Sequence, residues 1–255
     1  MFLRTESFKD FMYFYPVTFV LIVIQISIWL ISNMIDPIGN IIYNYGVGNH
    51  YLIQQGEYWR LFTSIFLHAG IGHIVFNSFS LILFAPALEQ MLGKFKLLFA
   101  YFFTGVAANI LSLFANAESM NYYLGASGAI YGLFGLYMFM VLFEKKLIDP
   151  QSAKVITVII VIGIIMTFIR PGIDITGHLF GFIAGIALGP IILKNVKAYS
   201  PYRNRRRKST DDSIGFDPNR WNKKRYKYKK YVKPIITTIF IILVLLGVMA
   251  TLLQR

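Results

Sequence analysis

Long apolar runs constrain this chain more than any other feature of its sequence. Of its 255 residues, 56% are hydrophobic, and the excess over a soluble domain lies in discrete blocks. These blocks cover about 16–34, 70–88, 97–115, 126–143, 155–169, 174–193 and 234–253. A helix of roughly 20 apolar residues crosses a bilayer. The sequence therefore predicts an all-α polytopic membrane protein, with a six-helix bundle and a C-terminal seventh transmembrane helix.

The runs also predict how the chain is divided. We expect a cytoplasmic N-terminal lead at 1–14, a six-helix core at 15–194, a basic cytoplasmic linker at 195–233, and the seventh helix with a short outer tail at 234–255. No small-residue cleavage pattern follows the first run, which favours an uncleaved helix over a signal peptide. The segment 35–70 is too polar to span, and its tyrosines and tryptophan suit the membrane interface.

The basic residues predict the orientation. With the N-terminus inside, all 25 lysines and arginines lie on the inner side except Arg60, Arg170 and Arg255. Positive charge accumulates in cytoplasmic loops of membrane proteins. We therefore expect a cytoplasmic N-terminus and an outer C-terminus. The absence of an obvious organelle presequence favours the plasma membrane of a bacterial-type cell.

The linker supplies most of the net charge of +13 and interleaves it with aromatic residues. One interpretation is a strip that binds nucleic acid or a protein partner. The other is a topogenic segment that rests on anionic lipid headgroups, at about 1 kcal/mol per nearby cation. The flanking spans favour the lipid interpretation, so no nucleic-acid partner is expected.

The chain has no cysteine and only four histidines. A disulfide framework, a thiolate nucleophile and a Cys-ligated metal are excluded. The histidines are too scattered to predict a metal site, and we expect no cofactor.

Spans two, four and six all run from outside to inside in this topology. His73, Ser127 and His178 each fall within the first several residues of their span, so the three side chains lie at similar depth in the outer part of the bilayer. Polar side chains in hydrocarbon are costly and normally face the interior of a bundle. This shared depth predicts that the three meet.

Ser127 lies between glycines, in the sequence Gly125-Ala126-Ser127-Gly128. Small residues often serve only for close helix packing. A serine in the first turn of a helix, however, has unpaired backbone N–H groups and the positive end of the helix dipole beside it. Those donors suit a developing oxyanion.

His178 is a candidate general base because histidine titrates in the range that such a base needs. A packed histidine and a proton relay are the alternatives. Glycines recur on one face of each of two helices, which would let the helices approach closely and bring His178 to Ser127. They are Gly181, Gly185 and Gly189 in span six, and Gly128, Gly132 and Gly135 in span four.

His73 and Asn77 are four residues apart and share one face of span two. Both can donate hydrogen bonds, as an oxyanion hole requires, although such residues also act as polar links between helices. The apolar body of spans two, four and six contains no Asp or Glu. A serine hydrolase built here would use a Ser/His dyad, with His178 oriented by packing, for which the ring of Tyr131 is the candidate.

Together these motifs resemble the rhomboid family of intramembrane serine proteases. The matching residues are Trp59-Arg60, His73-x-x-x-Asn77, Gly125-Ala126-Ser127-Gly128 and Gly177-His178-x-x-Gly181-x-x-x-Gly185. Gly177 departs from the alanine of many members. His68 also fits the pattern, without an assigned chemical step.

The resemblance implies a six-plus-one arrangement and roles for these residues. Ser127 would be the nucleophile and His178 the base. His73, Asn77 and the Ser127 backbone would bind the oxyanion, Tyr131 would stack on the base, and Trp59 and Arg60 would shape the first loop. The substrates would be transmembrane proteins cleaved near the outer face. A catalytically inert relative acting as a membrane chaperone or sorting factor is the alternative; a transporter would require intramembrane carboxylates.

Overall fold

The computed structural model describes residues 1–2, 6–118, 120–170 and 172–203. The predicted seventh helix and all of the linker beyond Arg203 lie outside these residues. The described helices are α1 (Phe8–Phe14), α2 (Pro16–Met34), α3 (Asp36–Gly46), α4 (His50–Gln54), α5 (Arg60–Thr63), α6 (Ile71–Leu92), α7 (Lys94–Ala115), α8 (Ser127–Leu142), α9 (Pro150–Ile169) and α10 (Ile175–Ile192). Short 3-10 helices cover Ser64–Phe66 and Lys145–Leu147.

The described part of the chain contains five helices that are long and apolar enough to cross a membrane: α2, α6, α7, α9 and α10. The apolar helix α8 has only 16 residues, about 24 Å at the rise of an α-helix. The prediction of an all-α polytopic membrane protein is confirmed at this level. The count of six spans plus one remains a prediction.

The fifth span was predicted to begin near residue 155, whereas α9 begins at Pro150. Its start is fixed by a cap, because the Asp149 carboxylate accepts a hydrogen bond of 2.9 Å from the backbone N–H of Ser152. Proline at the first helical position loses no hydrogen bond. The hydropathy pattern missed this amphiphilic first turn.

The predicted end of the second span, near Leu88, was also wrong, because α6 continues to Leu92 and buries Glu89. The Glu89 carboxylate accepts hydrogen bonds from the backbone N–H groups of Val17 and Thr18, both at 2.9 Å, and from the Thr18 hydroxyl at 2.7 Å. These N–H groups belong to the first turn of α2, where a helix lacks internal acceptors and favours negative charge. Hydrogen bonds from α2 to both oxygens of the buried carboxylate therefore replace those that water would make.

The segment 35–70 folds into short helices tied together by Arg60. Only 3% of this side chain is exposed. Its guanidinium donates to the carbonyls of Val47 and Asn44, both at 2.7 Å, and to the Glu57 carboxylate at 2.6 Å. A buried arginine needs such a set of acceptors to offset the loss of its hydration. Arg60 thus links distant parts of the segment 35–70, which we call the first loop.

A two-residue ladder joins this first loop to the segment before α8. Strand β1 (Gly48–Asn49) pairs antiparallel with β2 (Tyr122–Tyr123), with Gly48 opposite Tyr123. The Asn49 amide extends the contact by donating to the Met120 carbonyl at 2.8 Å. The first loop therefore supports the stretch that leads into Ser127.

Candidate active site

Ser127 is the first residue of α8 and is half-buried. Its helix begins without a side-chain cap, so backbone N–H groups of the first turn remain available. The turn before it is anchored by a hydrogen bond of 2.9 Å from the Gly125 N–H to the Ser64 carbonyl. The position of Ser127 is thus set by backbone contacts and the β1–β2 ladder.

Gly125 lies between His73 and Ser127. A Cβ at this position would be 2.7 Å from both Cε1 and Nε2 of the His73 ring and 3.6 Å from Ser127 Oγ. The residue has φ of +134°, which favours glycine. The absent side chain therefore leaves room for the His73 ring beside the turn that leads into Ser127.

Asn77 follows His73 by one turn on the same face of α6 and is 6% exposed. Within the described residues, its Nδ2 is buried and has no hydrogen-bond partner. A buried donor without a partner carries a free-energy cost of roughly 1–3 kcal/mol. It is available to a group that enters the site.

Helices α8 and α10 touch backbone to backbone along a glycine seam. We use this name for Gly128 and Gly132 of α8 with Gly181 and Gly185 of α10. A Cβ at Gly181 would overlap the Gly128 carbonyl oxygen, and one at Gly185 would overlap the Gly132 carbonyl oxygen. The seam brings the first turn of α10, with His178, beside the first turn of α8, with Ser127.

His178 is buried, and its ring stacks on that of Tyr131, with centroids 4.1 Å apart and an interplanar angle of 16°. His178 Nδ1 lies 2.9 Å from the hydroxyl of Thr167. That contact engages Nδ1 and not Nε2. Two neighbours, one on α8 and one on α9, therefore orient the imidazole.

Thr167 is a residue that the sequence analysis missed. It is 1% exposed and bonds both Tyr131 and Gly163 through its hydroxyl oxygen, at 2.9 Å in each case. It lies outside spans two, four and six, which carry the predicted site residues, and it is not a carboxylate. Two features of the sequence could have indicated it. Thr167 is a hydroxyl residue among apolar residues in the last turn of span five. That turn lies on the side of the bundle where spans two, four and six begin.

His68 adds a second buried imidazole beside His73, with ring centroids 5.0 Å apart. It is fully buried, and neither ring nitrogen has a hydrogen-bond partner among the described residues. Burial, assisted by the neighbouring His73, lowers the pKa of His68 from 6.5 to about 3. His68 is therefore neutral at physiological pH.

Trp59 and Arg60 lie in the first loop. Trp59 is 49% exposed, and its indole N–H donates to the Tyr45 carbonyl at 3.0 Å. Both side chains therefore donate hydrogen bonds to backbone carbonyls of the first loop.

No cluster of three or more His, Cys, Asp or Glu side chains within the described ranges could hold a metal ion.

The described site thus combines a hydroxyl at a helix N-terminus, an imidazole held by a hydroxyl and an aromatic ring, and further imidazole and amide donors on α6. A hydroxyl beside an oriented imidazole is the arrangement that activates a serine nucleophile. Open backbone N–H groups next to it can stabilise an oxyanion. The arrangement suits acyl transfer.

Comparison with known proteins identifies the same family as the motifs. The family model of the Rhomboid domain matches residues 55–195. This match includes α6 to α10 and every residue of the site described above.

Individual relatives are similar over different shares of their length. YdcA of Bacillus subtilis (strain 168), by its name a candidate rhomboid protease, is 42% identical over 197 residues, which cover 74% of this chain and 94% of YdcA. The rhomboid protease GluP of the same organism is 37% identical over 55% of this chain, but the match covers only 27% of GluP. RHOMBOID-like protein 1 of Arabidopsis thaliana is 35% identical over 56% of this chain and 36% of that protein.

Proposed function

This chain belongs to the rhomboid family, and from that premise we propose that it is an intramembrane serine endopeptidase. Its substrates are transmembrane proteins, which it cleaves near the outer face of the membrane. The observation that carries the proposal is the close contact between the first turns of α8 and α10. Ser127 begins the first of these turns without a side-chain cap, and the second carries the His178 imidazole, which is fixed by stacking and by a hydrogen bond.

Hydrolysis proceeds through an acyl-enzyme. His178 Nε2 accepts the proton of Ser127 Oγ as the oxygen attacks the substrate carbonyl carbon. The resulting imidazolium donates this proton to the leaving amine as the peptide C–N bond breaks. Water then attacks the acyl-enzyme in the same way, transferring a proton to His178, which returns it to Ser127 Oγ as the ester bond breaks.

The oxyanion of each tetrahedral intermediate is bound by the Ser127 backbone N–H, His73 and Asn77. The unpartnered Asn77 Nδ2 and the approach of His73 to the Gly125 turn support these roles. Such donors are fixed before the reaction, so they stabilise the developing charge without reorganisation. Loss of one is expected to raise the barrier by on the order of 3 kcal/mol.

Membrane placement follows from the charge distribution. With the N-terminus in the cytoplasm and the C-terminus outside, the starts of α6, α8 and α10 lie in the outer leaflet of the plasma membrane. Water reaches the dyad from that side, and the basic linker rests on anionic headgroups inside. Labelling of an engineered cysteine in the linker from outside intact cells would overturn this topology.

The decisive experiment compares purified wild-type protein with Ser127→Ala on a transmembrane test substrate. We expect the substitution to abolish cleavage and labelling by a fluorophosphonate. Ser80→Ala on α6 is the control for loss of a serine hydroxyl and is expected to remain active. Cleavage that survives Ser127→Ala would disprove the serine mechanism, and an inactive wild type that still binds membrane proteins would favour the inert relative.

A further inference from the structure

We propose that Thr167 is a positioning residue that holds His178 in the tautomer with its proton on Nδ1. This leaves the lone pair on Nε2, the nitrogen that must accept a proton from Ser127. The inference rests on the proposed function. It assigns the role of the missing triad carboxylate to a neutral hydroxyl on α9.

The Thr167 hydroxyl oxygen has three polar partners. The Gly163 carbonyl, the Tyr131 hydroxyl and His178 Nδ1 all lie 2.9 Å from it. A hydroxyl has one proton to donate and two lone pairs to accept with. Three contacts are satisfied together only when one receives that proton and the other two donate.

The identity of the partners decides which one receives the proton. The Gly163 carbonyl has no hydrogen, so it must accept from Thr167. Tyr131 and His178 must then both donate to Thr167 Oγ1. For His178 this requires a proton on Nδ1, and in neutral imidazole the other nitrogen is then unprotonated.

The surroundings of Thr167 enforce this arrangement. Thr167 is 1% exposed, and His178 and Tyr131 are each 8% exposed. Because water has little access, breaking one of the bonds would leave a buried polar group unpaired. The Gly163 position is also tight, since a Cβ there would be 3.1 Å from the Tyr131 hydroxyl oxygen.

The acidic residue nearest to His178 in the sequence is engaged at the start of α10. The Asp174 carboxylate, one turn before His178, caps the helix by accepting from the Gly177 N–H at 2.9 Å and from the Thr176 hydroxyl at 2.8 Å. Thr167 is therefore the acceptor that the described structure offers to His178 Nδ1.

A hydroxyl in this position has a physical advantage inside a membrane. When His178 takes the serine proton, Nδ1–H continues to donate to a lone pair of Thr167, so the cation retains its hydrogen bond. A carboxylate would stabilise the cation more strongly, but in the resting enzyme it would be a buried charge without a partner. Thr167 supplies orientation without that cost.

The test uses the full-length protein with Thr167→Val, which keeps the shape and removes the hydroxyl, and Thr167→Ser, which keeps the hydroxyl. We expect Thr167→Val to lower kcat by roughly tenfold to 100-fold at unchanged KM, the range for loss of a hydrogen bond to a charged group. Thr167→Ser is expected to retain most of the activity. Thr157→Val is the matched control, because its hydroxyl bonds the Ala153 carbonyl at 2.8 Å on the same helix.

The tautomer is measured directly by 15N NMR of histidine-labelled protein, with His178→Gln to assign the signal. We expect a protonated Nδ1 in wild type and loss of this preference in Thr167→Val. A protonated Nε2 in wild type, an unchanged kcat in Thr167→Val, or equal losses in the Val and Ser variants would each overturn the proposal.

The two proposals fail differently. Cleavage that does not need Ser127 would refute the proposed function, whereas the wild-type NMR signal decides the tautomer independently of any cleavage assay. It also decides the matter if Thr167→Val does not fold.

Discussion

The ring of Tyr131 lies almost parallel to that of His178, with 4.1 Å between the centroids. This contact fixes the plane of the imidazole, while the hydrogen bond between Nδ1 and Thr167 fixes its rotation within that plane. An aromatic face also attracts the cation that forms when the imidazole is protonated. Tyr131 and Thr167 therefore hold the proposed base from two different helices.

Substitution of Gly125 by alanine is expected to reduce cleavage at least tenfold. The new methyl would lie 2.7 Å from the His73 ring and would displace the ring from its proposed position at the oxyanion. Displacements of about 1 Å in an active site can cost about 100-fold in rate. The measurement is kcat/KM on a transmembrane substrate.

Gly56→Ala is the control for backbone strain. Gly56 also has positive φ, +103°, but a Cβ there meets nothing within 4 Å. Both variants should lose thermal stability, and only Gly125→Ala should lose activity. Equal losses of activity would attribute the effect to strain instead of His73.

Gly185→Ala is expected to destabilise the protein by about 1–3 kcal/mol or more, the range for overpacking. Its Cβ would overlap the Gly132 carbonyl oxygen, so α8 and α10 must separate. Cleavage should fall with stability because the two helices carry the proposed nucleophile and base. Thermal unfolding in detergent and cleavage rate report the two effects.

The matched control for the seam is Gly72→Ala in the first turn of α6, where a Cβ meets nothing within 4 Å. Alanine at that helical position should leave stability unchanged or raise it by up to about 1 kcal/mol. A Gly185→Ala variant as stable as wild type would show that the seam tolerates a methyl group.

Glu89→Gln is expected to lower the free energy of unfolding by about 3 kcal/mol. An amide NH2 group would replace one of the carboxylate oxygens that accept from Val17 and Thr18. This NH2 donor would then face buried donors of α2, which would lose their acceptor. Glu144→Gln serves as control, because Glu144 pairs at 3.0 Å with the exposed Lys146, and exposed pairs contribute at most about 1 kcal/mol. Similar losses in both variants would contradict the capping role of Glu89.

His68 predicts a dependence of stability on pH. Its pKa is about 3 in the folded protein and about 6.5 in the unfolded chain. Between these values the unfolded chain binds a proton that the folded protein does not, so stability falls as pH is lowered from about 6.5 towards 3. The expected loss between pH 7 and pH 5 is about 2 kcal/mol.

His68→Phe should remove this part of the pH dependence. The variant and wild type are compared by thermal unfolding at each pH. An identical pH dependence in both would show that His68 does not titrate as its burial requires.

Sequence patterns predicted the parts of this structure that follow from hydropathy and helical spacing. The first span was predicted at its observed bounds, 16–34, and the glycine spacing correctly indicated a close approach of α8 and α10. The predicted starts of spans two, four and six put His73, Ser127 and His178 within the first several residues of their helices, as observed. Their catalytic roles remain predictions.

Tertiary partners could not be read from the sequence. Thr167 is one hydroxyl in an apolar helix, and its importance depends on side chains 11 and 36 positions away. Glu89 looks, from its local sequence, like an exposed residue at the end of a span. Its hydrogen-bond partners on α2 precede it by 71 and 72 positions, so the local sequence does not reveal them. In both cases the residues adjacent in the sequence do not indicate the distant group that forms the hydrogen bond.

The ladder between β1 and β2 has a consequence for the order in which the chain matures during synthesis. The contact from Asn49 to Met120 closes a loop of 71 positions, so it cannot form until α6 and α7, which lie between the two residues, have been synthesised. Closure of so long a loop costs chain entropy before its contacts form. The turn that presents Ser127 is therefore completed late, and His178 arrives later still. The proposed nucleophile and base therefore come together only after nearly the whole bundle has been assembled.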